Sequence, residues 1–186
     1  MSGWILLVLV QSTLIAKRRV LWHRRLGIFG AGYAGLIAVV GCAATLIAAA
    51  REVRAHSVTI ASQFNVLALE LTQMVLFACL VGSAVWLRNR DDWHKRLMLL
   101  ATLCILPNVI VRISFLSSSE FFSRNITLLS LWAVLVLLVA ALDSYRGRRV
   151  HPAFGLVGTA TIISLYAAYV VGLTRPWIRF AGWLVS

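Results

Sequence analysis

Three histidines are placed where imidazole chemistry could occur: His23, His94 and His151 all lie at the start of long apolar runs. Two of them occupy nearly the same pentapeptide, Trp-His-Arg-Arg-Leu at 22–26 and Trp-His-Lys-Arg-Leu at 93–97. Haem iron can be ligated by two imidazoles, which must then face each other at equal depth. Arginine and lysine bind carboxylates through charge-assisted hydrogen bonds. One interpretation is therefore a haem ligated by His23 and His94, with its propionates bound by Arg24, Arg25, Lys95 and Arg96.

The same residues support two other interpretations. Imidazole and carboxylate ligands suit a divalent metal, which could be held by all three histidines together with acidic neighbours. Alternatively, each pentapeptide is a membrane anchor, in which tryptophan packs at headgroup level, basic side chains contact phosphates and histidine caps or snorkels. Ionisable residues at a membrane boundary cost little, so the sequence leaves all three open. The acidic candidates for the metal site are Asp91, Asp92 and Asp143.

A second polar group lies within the apolar runs. Glu70 and Arg112 are predicted a few residues inside the same end of neighbouring segments, close enough to pair. Arg112 shares a helix face with Asn108, and Pro107 frees the carbonyl of Leu103, which predicts a polar, kinked patch. Charges inside hydrocarbon are candidates for a proton relay, a quinone headgroup site or a small-ion carrier. The alternative is a salt bridge that joins the two helices.

Composition defines the class of protein to which these residues belong. In 186 residues, 61% are hydrophobic and 13% charged, and the mean hydropathy is +0.89. Such a chain has too little polar surface to cover a water-soluble globule and is predicted to be an integral membrane protein. The net charge of +12 comes from short clusters between apolar runs, which favours anionic lipid headgroups over nucleic acid. The sequence has neither a phosphate-binding glycine loop nor a His-Glu-x-x-His motif, so an enzyme is the less favoured interpretation and the question stays open.

Six runs approach the length needed to cross about 30 Å of hydrocarbon as helices. They predict an all-α transmembrane bundle that forms one domain over residues 1–174, and their spacing is compatible with three helical hairpins. Residues 175–186 have the amphipathic spacing of a short interfacial tail helix. The predicted segments are Gly3–Ala16, Leu26–Ala50, Phe64–Leu87, Leu97–Leu116, Ile126–Leu142 and Ala153–Thr174.

Loop charge predicts the orientation. Twelve of the eighteen basic residues follow segments one, three and five, and five lie on the other side. The excess predicts that these loops are cytoplasmic and that both termini lie outside, in a bacterial inner membrane. The twelve are Lys17, Arg18, Arg19, Arg24, Arg25, Arg88, Arg90, Lys95, Arg96, Arg146, Arg148 and Arg149.

Small residues and tryptophans add detail to this topology. Small residues at four-residue spacing, which let membrane helices approach closely, run from Gly27 to Gly35 and from Ala160 to Gly172. Beside the first stripe lie Gly30, Ala34, Ala38 and Cys42. Most tryptophans fall at a predicted membrane boundary, where indole rings prefer to lie. Trp4 is assigned to the outer boundary, and Trp132 alone is predicted at mid-membrane.

Two motifs also carry a family resemblance. His-Arg-Arg-Leu-Gly at 23–27, preceded by Gln-Ser-Thr-Leu at 11–14, and His-Lys-Arg-Leu-Met-Leu-Leu-Ala-Thr at 94–102 with a later Arg112 stand in this order. With these motifs the chain resembles a widespread group of uncharacterised bacterial multi-pass inner-membrane proteins, over most of its length. The His-Lys-Arg-Leu-Met stretch is also similar to small membrane proteins linked to assembly of haem-copper oxidases. The resemblance implies a multi-pass membrane protein and no particular activity.

The sequence thus favours three functions in a definite order. The first is an accessory or structural membrane protein that works through lipid and helix-packing surfaces, either alone or within a larger membrane complex. The second is a haem or metal protein that uses the histidines. The third is a small carrier that uses Glu70 and Arg112.

Overall fold

The computed structural model describes residues 2–55, 60–114 and 125–185, and every regular element within these ranges is a helix. The predicted all-α bundle is confirmed, and each of the six predicted segments coincides with a helix over its described part. A π-helical turn, Ala153–Gly158, opens the sixth segment. The helices are α1 (Ser2–Ala16), α2 (Val20–Ala55), α3 (Ile60–Trp86), α4 (Asp91–Ser114), α5 (Asn125–Gly147), α6 (Thr159–Gly172) and α7 (Arg175–Val185).

Four stretches in the described part of the chain are long and apolar enough to cross a membrane: Val20–Ala55, Ser62–Trp86, Ile126–Gly147 and Ala153–Gly172. At 36 residues, α2 is roughly 54 Å long and therefore extends well beyond about 30 Å of hydrocarbon. The apolar helix α1 is shorter, with 15 residues. These lengths and compositions make the chain a membrane protein.

The bundle is organised around α3, which packs against α2, α4 and α6. One face of α3 supplies large side chains that are almost completely buried, including Leu67, Met74 and Phe77. By contrast, α2 packs mainly on α1 and α3 and leaves Ile28 and Phe29 about three-quarters exposed. In a membrane protein such an exposed apolar face can contact either lipid or another membrane helix, because lipid is as apolar as the side chains.

Polar side chains from α3 and α5 bond to the backbone of α4 just before its internal proline. Pro107 has no N–H, so the carbonyl of Leu103 has no helical donor, and it accepts instead from Trp132 Nε1 at 2.7 Å. The neighbouring carbonyl of Cys104 accepts from Nε2 of the buried Gln73. The polar patch predicted at this proline therefore serves, at these two carbonyls, to join α4 to α3 and α5.

The predicted small-residue stripes behave differently in the two helices. On α6, Ala168 and Gly172 are buried, and a Cβ on Gly172 would lie 2.9 Å from Cα of Asn65 on α3. On α2 the predicted packing residues divide: Gly30 and Ala34 are buried on the face that meets α1 and α3, whereas Gly35 is exposed and a methyl group added there would have nothing within 4 Å.

The end of the bundle formed by α7 is joined to α2 and α3. Trp177 Nε1 donates to the carbonyl of Phe64 at 2.7 Å, and Ala181 is buried beside Ala49. The prediction of an interfacial ring is wrong for Trp4, which is fully buried among protein side chains and donates from Nε1 to Thr102 Oγ1 at 3.2 Å.

Candidate functional site at the histidine end

The starts of α2, α4 and the π-helical turn meet at one end of the bundle, which we call the histidine end (residues 17–25, 86–97 and 143–154). Side chains rather than extended helix contacts make this junction. The His23 and His94 rings are neighbours, and Trp93 packs edge-on against His151 with 5.3 Å between ring centroids. Short connections between successive helices bring these helix starts together.

His23 and His94 form a pair. Their ring centroids lie 6.3 Å apart and their planes are nearly perpendicular, at 84°. Both residues are half-buried. Since α2 and α4 have no extensive contact with each other in the described ranges, the imidazole pair is a side-chain contact between them.

The orientation of His94 is fixed by α3. Its Nδ1 lies 2.7 Å from the carbonyl oxygen of Ala84, an atom that can only accept, so Nδ1 carries the proton and Nε2 carries the lone pair. That carbonyl belongs to the last turn of α3, where the N–H of Arg88 bonds to Val85 instead. His94 thus satisfies a helix-terminal carbonyl and is held in one tautomer.

Gln11 holds the other imidazole. With its amide turned to satisfy both ends, Gln11 Oε1 accepts from the N–H of Gly27 at 3.0 Å and its Nε2 donates to the carbonyl of His23 at 3.2 Å. The same Nε2 contacts Nδ1 of the His23 ring. In this orientation of the amide Nδ1 of His23 accepts from Gln11, so Nε2 of the neutral ring carries the proton.

His151 belongs to a separate group. Its Nε2 donates to Asp92 Oδ2 at 3.0 Å, while its Nδ1 accepts from the N–H of Ala153 at 3.1 Å. The hydrogen bond from His151 holds the pKa of the exposed Asp92 carboxyl below its usual value. This arrangement joins the first turn of α4 to the π-helical turn and uses both nitrogens of His151.

The four cations predicted to bind propionates fall into two groups, one paired within the protein and three exposed. Arg96 is committed to the protein, since Nε donates to Asp143 Oδ2 at 2.7 Å and an Nη atom donates to the carbonyl of Asp92 at 2.8 Å. Arg24, Arg25 and Lys95 are exposed, and the guanidinium of Arg25 lies over the ring of Trp22. Three of the four predicted cations therefore keep an exposed charged group near the histidine pair.

The predicted three-histidine metal site is not assembled within the described residues, which contain no group of three or more His, Cys, Asp or Glu side chains able to hold an ion.

The intramembrane pair predicted from the sequence, Glu70 and Arg112, lies partly outside the described residues. Glu70 is half-buried and accepts a hydrogen bond from Thr45 Oγ1 at 2.9 Å. The side chains of Arg112 and Asn108 lie outside the described residues, so their partnership with Glu70 stays a prediction.

Sequence reasoning did not assign a role to Gln11 or to the carbonyl of Ala84. The sequence signal that could have identified Gln11 is its long amide side chain in an otherwise apolar helix. No sequence signal marks a backbone carbonyl at a helix terminus as the acceptor of a particular imidazole. The chain matches no protein-family model, no curated protein and no solved structure.

Proposed function

We propose that this membrane protein binds haem through His23 and His94. The observation that carries the proposal is the isolated pair of half-buried imidazoles, 6.3 Å apart and perpendicular, at the histidine end. Histidine is a protein ligand of haem iron, and His23 and His94 would be the two residues that hold it here.

The number of available ligands favours haem over a bare ion. Structural zinc requires four ligands and catalytic zinc usually three from the protein. The described residues supply two imidazoles and no third ligand beside them. Haem brings most of the iron ligands in its own macrocycle, so His23 and His94 would be enough to hold it.

The hydrogen bond of His94 is of the kind that orients a metal ligand. His94 donates from Nδ1 to the carbonyl of Ala84, which leaves its Nε2 unprotonated. In the satisfied orientation of the amide, Gln11 Nε2 donates to Nδ1 of His23, so Nε2 of the neutral His23 ring carries the proton. For His23 to bind iron through Nε2, the Gln11 amide would have to turn its oxygen toward the ring and give up its bonds to the N–H of Gly27 and the carbonyl of His23. Arg24, Arg25 and Lys95 are the cations free to bind propionates. Bound haem would supply one-electron chemistry at a potential tuned by these axial ligands and cations.

The test is optical. Protein expressed with a haem precursor and purified in mild detergent should show a Soret band and one haem per chain by the pyridine haemochrome assay. His23→Ala and His94→Ala should each lose the band, whereas the matched control His151→Ala should keep it, because His151 bonds to Asp92. A colourless wild-type preparation, or a band that survives His94→Ala, would overturn the proposal.

We further propose a location and context for this protein. It lies in a bacterial inner membrane with the histidine end cytoplasmic, as the loop charges predict. Its broad role is that of an accessory subunit of a larger membrane complex, which the exposed face of α2 supports because that helix is long and sparsely covered. Native electrophoresis in mild detergent should recover it with a larger partner; migration as the isolated chain from gently solubilised membranes argues against the accessory role.

A further inference from the structure

The turn between α1 and α2 concentrates positive charge that the protein does not neutralise. Lys17, Arg18 and Arg19 are all exposed, and the first acidic residue in the chain is Glu52. Within the described ranges no carboxylate lies within 4.0 Å of these three side chains. Three acidic residues lie at the histidine end. Asp92 bonds to His151, Asp143 bonds to Arg96, and the third is Asp91.

The backbone of this turn leaves the three side chains outside. The N–H groups of residues 17, 18 and 19 bond back to carbonyls of α1, at 3.0, 2.9 and 2.8 Å. These bonds satisfy the end of α1 through main-chain atoms alone. The cations are therefore not required to cap the helix, and their charged groups are available to a ligand.

An apolar groove leads directly to these cations. It has a volume of about 310 Å³ and runs along α1 to the turn. Its wall is apolar except for one hydroxyl, that of Thr13, which is already donated to the carbonyl of Leu9 at 2.8 Å. The residues lining it are Leu9, Val10, Thr13, Leu14, Lys17 and Arg19.

We infer that this groove is a binding site for an anionic phospholipid. An acyl chain fits the wall of α1, and the headgroup phosphate meets Lys17 and Arg19 at its mouth. Both parts of the lipid are needed to match the site, since the wall is mainly apolar and no carboxylate of the described residues pairs with the cations. Positive residues near a membrane surface each strengthen binding to anionic lipid about 5-fold. This inference does not depend on haem binding.

The test uses the purified full chain in detergent, titrated with dioleoylphosphatidylglycerol and, separately, dioleoylphosphatidylcholine, with bound lipid counted by native mass spectrometry. We expect phosphatidylglycerol to bind preferentially. The double variant Lys17→Gln/Arg19→Gln should bind it about 30-fold more weakly, from two lost charges. The charge-retaining variant Lys17→Arg/Arg19→Lys should bind as the wild type does.

A matched control removes two exposed cations elsewhere. Arg175→Gln/Arg179→Gln lowers the net charge equally, on α7, and should leave the high-affinity lipid in place. Equal weakening by the two glutamine pairs would show general charge attraction and overturn the site. So would equal binding of the two lipids, or displacement of phosphatidylglycerol by inorganic phosphate, which would show an anion site without an acyl requirement.

Discussion

Replacing Trp132 by Phe tests whether the proline in α4 is compensated by a neighbouring helix. The substitution removes the indole N–H that bonds to the Leu103 carbonyl at 2.7 Å and keeps an aromatic ring in a buried position. Leaving a buried acceptor unpaired costs about 1–3 kcal/mol. Interhelical hydrogen bonds in membranes average only about 0.6 kcal/mol, because separated helices find other partners.

The larger of these two energetic costs should apply to Trp132→Phe, because of Pro107. In the separated α4 helix the Leu103 carbonyl still faces a residue without an N–H, so the expected loss is about 1.5 kcal/mol from the hydrogen bond. Pro107→Ala provides the missing donor within the helix. In that background Trp132→Phe should cost about 1 kcal/mol less, and the remaining cost is that of the smaller ring.

The assay is reversible unfolding in mixed micelles, followed by circular dichroism for the four members of this double-mutant cycle. Trp86→Phe, at a side chain that is 85% exposed, is the matched control and should leave stability unchanged within about 0.5 kcal/mol. If Trp132→Phe costs the same with and without Pro107, the indole does not compensate for the proline and the reasoning is refuted.

Three further predictions concern other elements and use the same unfolding assay. Gly172→Ala should destabilise the bundle by about 2 kcal/mol, because the added methyl group meets the backbone of α3. The control Gly35→Ala should be neutral or slightly stabilising. Equal effects of the two substitutions would contradict the packing described. Arg18→Gly should stabilise by about 0.5 kcal/mol, since Arg18 has φ of 56°, and a loss of stability would count against strain at this turn. His151 lowers the pKa of Asp92 on folding, so the Asp92 carboxylate contributes stability at pH values above its unfolded pKa of about 3.9. This stability is lost as the pH falls through the folded-state pKa. Asp92→Asn should therefore reduce the acid sensitivity of unfolding, and an unchanged pH profile would show that this pair does not contribute.

The helices of this protein could be predicted because lipid allows few alternatives. Long apolar runs must satisfy their backbone internally, so each predicted segment is a helix within a few residues of its expected bounds. The largest differences are at charged ends, where α2 begins at Val20 and α4 at Asp91, before their apolar runs. Hydropathy detects the hydrocarbon-spanning part of a helix and not the polar turns that continue it.

The rotation of each helix about its axis was harder to predict. Gly35 and Gly30 both look like packing positions by spacing, but only Gly30 of the two is buried, because α1 and α3 cover that side of α2. Small-residue spacing specifies a face that could be approached closely and does not specify which neighbour approaches it. On α6 the C-terminal half of the stripe packs as expected, since Ala168 and Gly172 are buried and Gly172 meets the central helix α3, whereas Ala160 is exposed.

The same limit explains the candidate site. The sequence placed His23, His94 and His151 at similar depths, but depth does not determine which side chains meet. The first turn of α4 separates them: His94 points to His23 and the carbonyl of Ala84, while Asp92 and Trp93 on the same turn contact His151. A helix presents successive residues about 100° apart, so adjacent positions on one turn necessarily face different neighbours. A single site containing all three histidines would have required His151 to reach past Trp93. The division into a pair and a separate ion-paired histidine follows from this helical geometry.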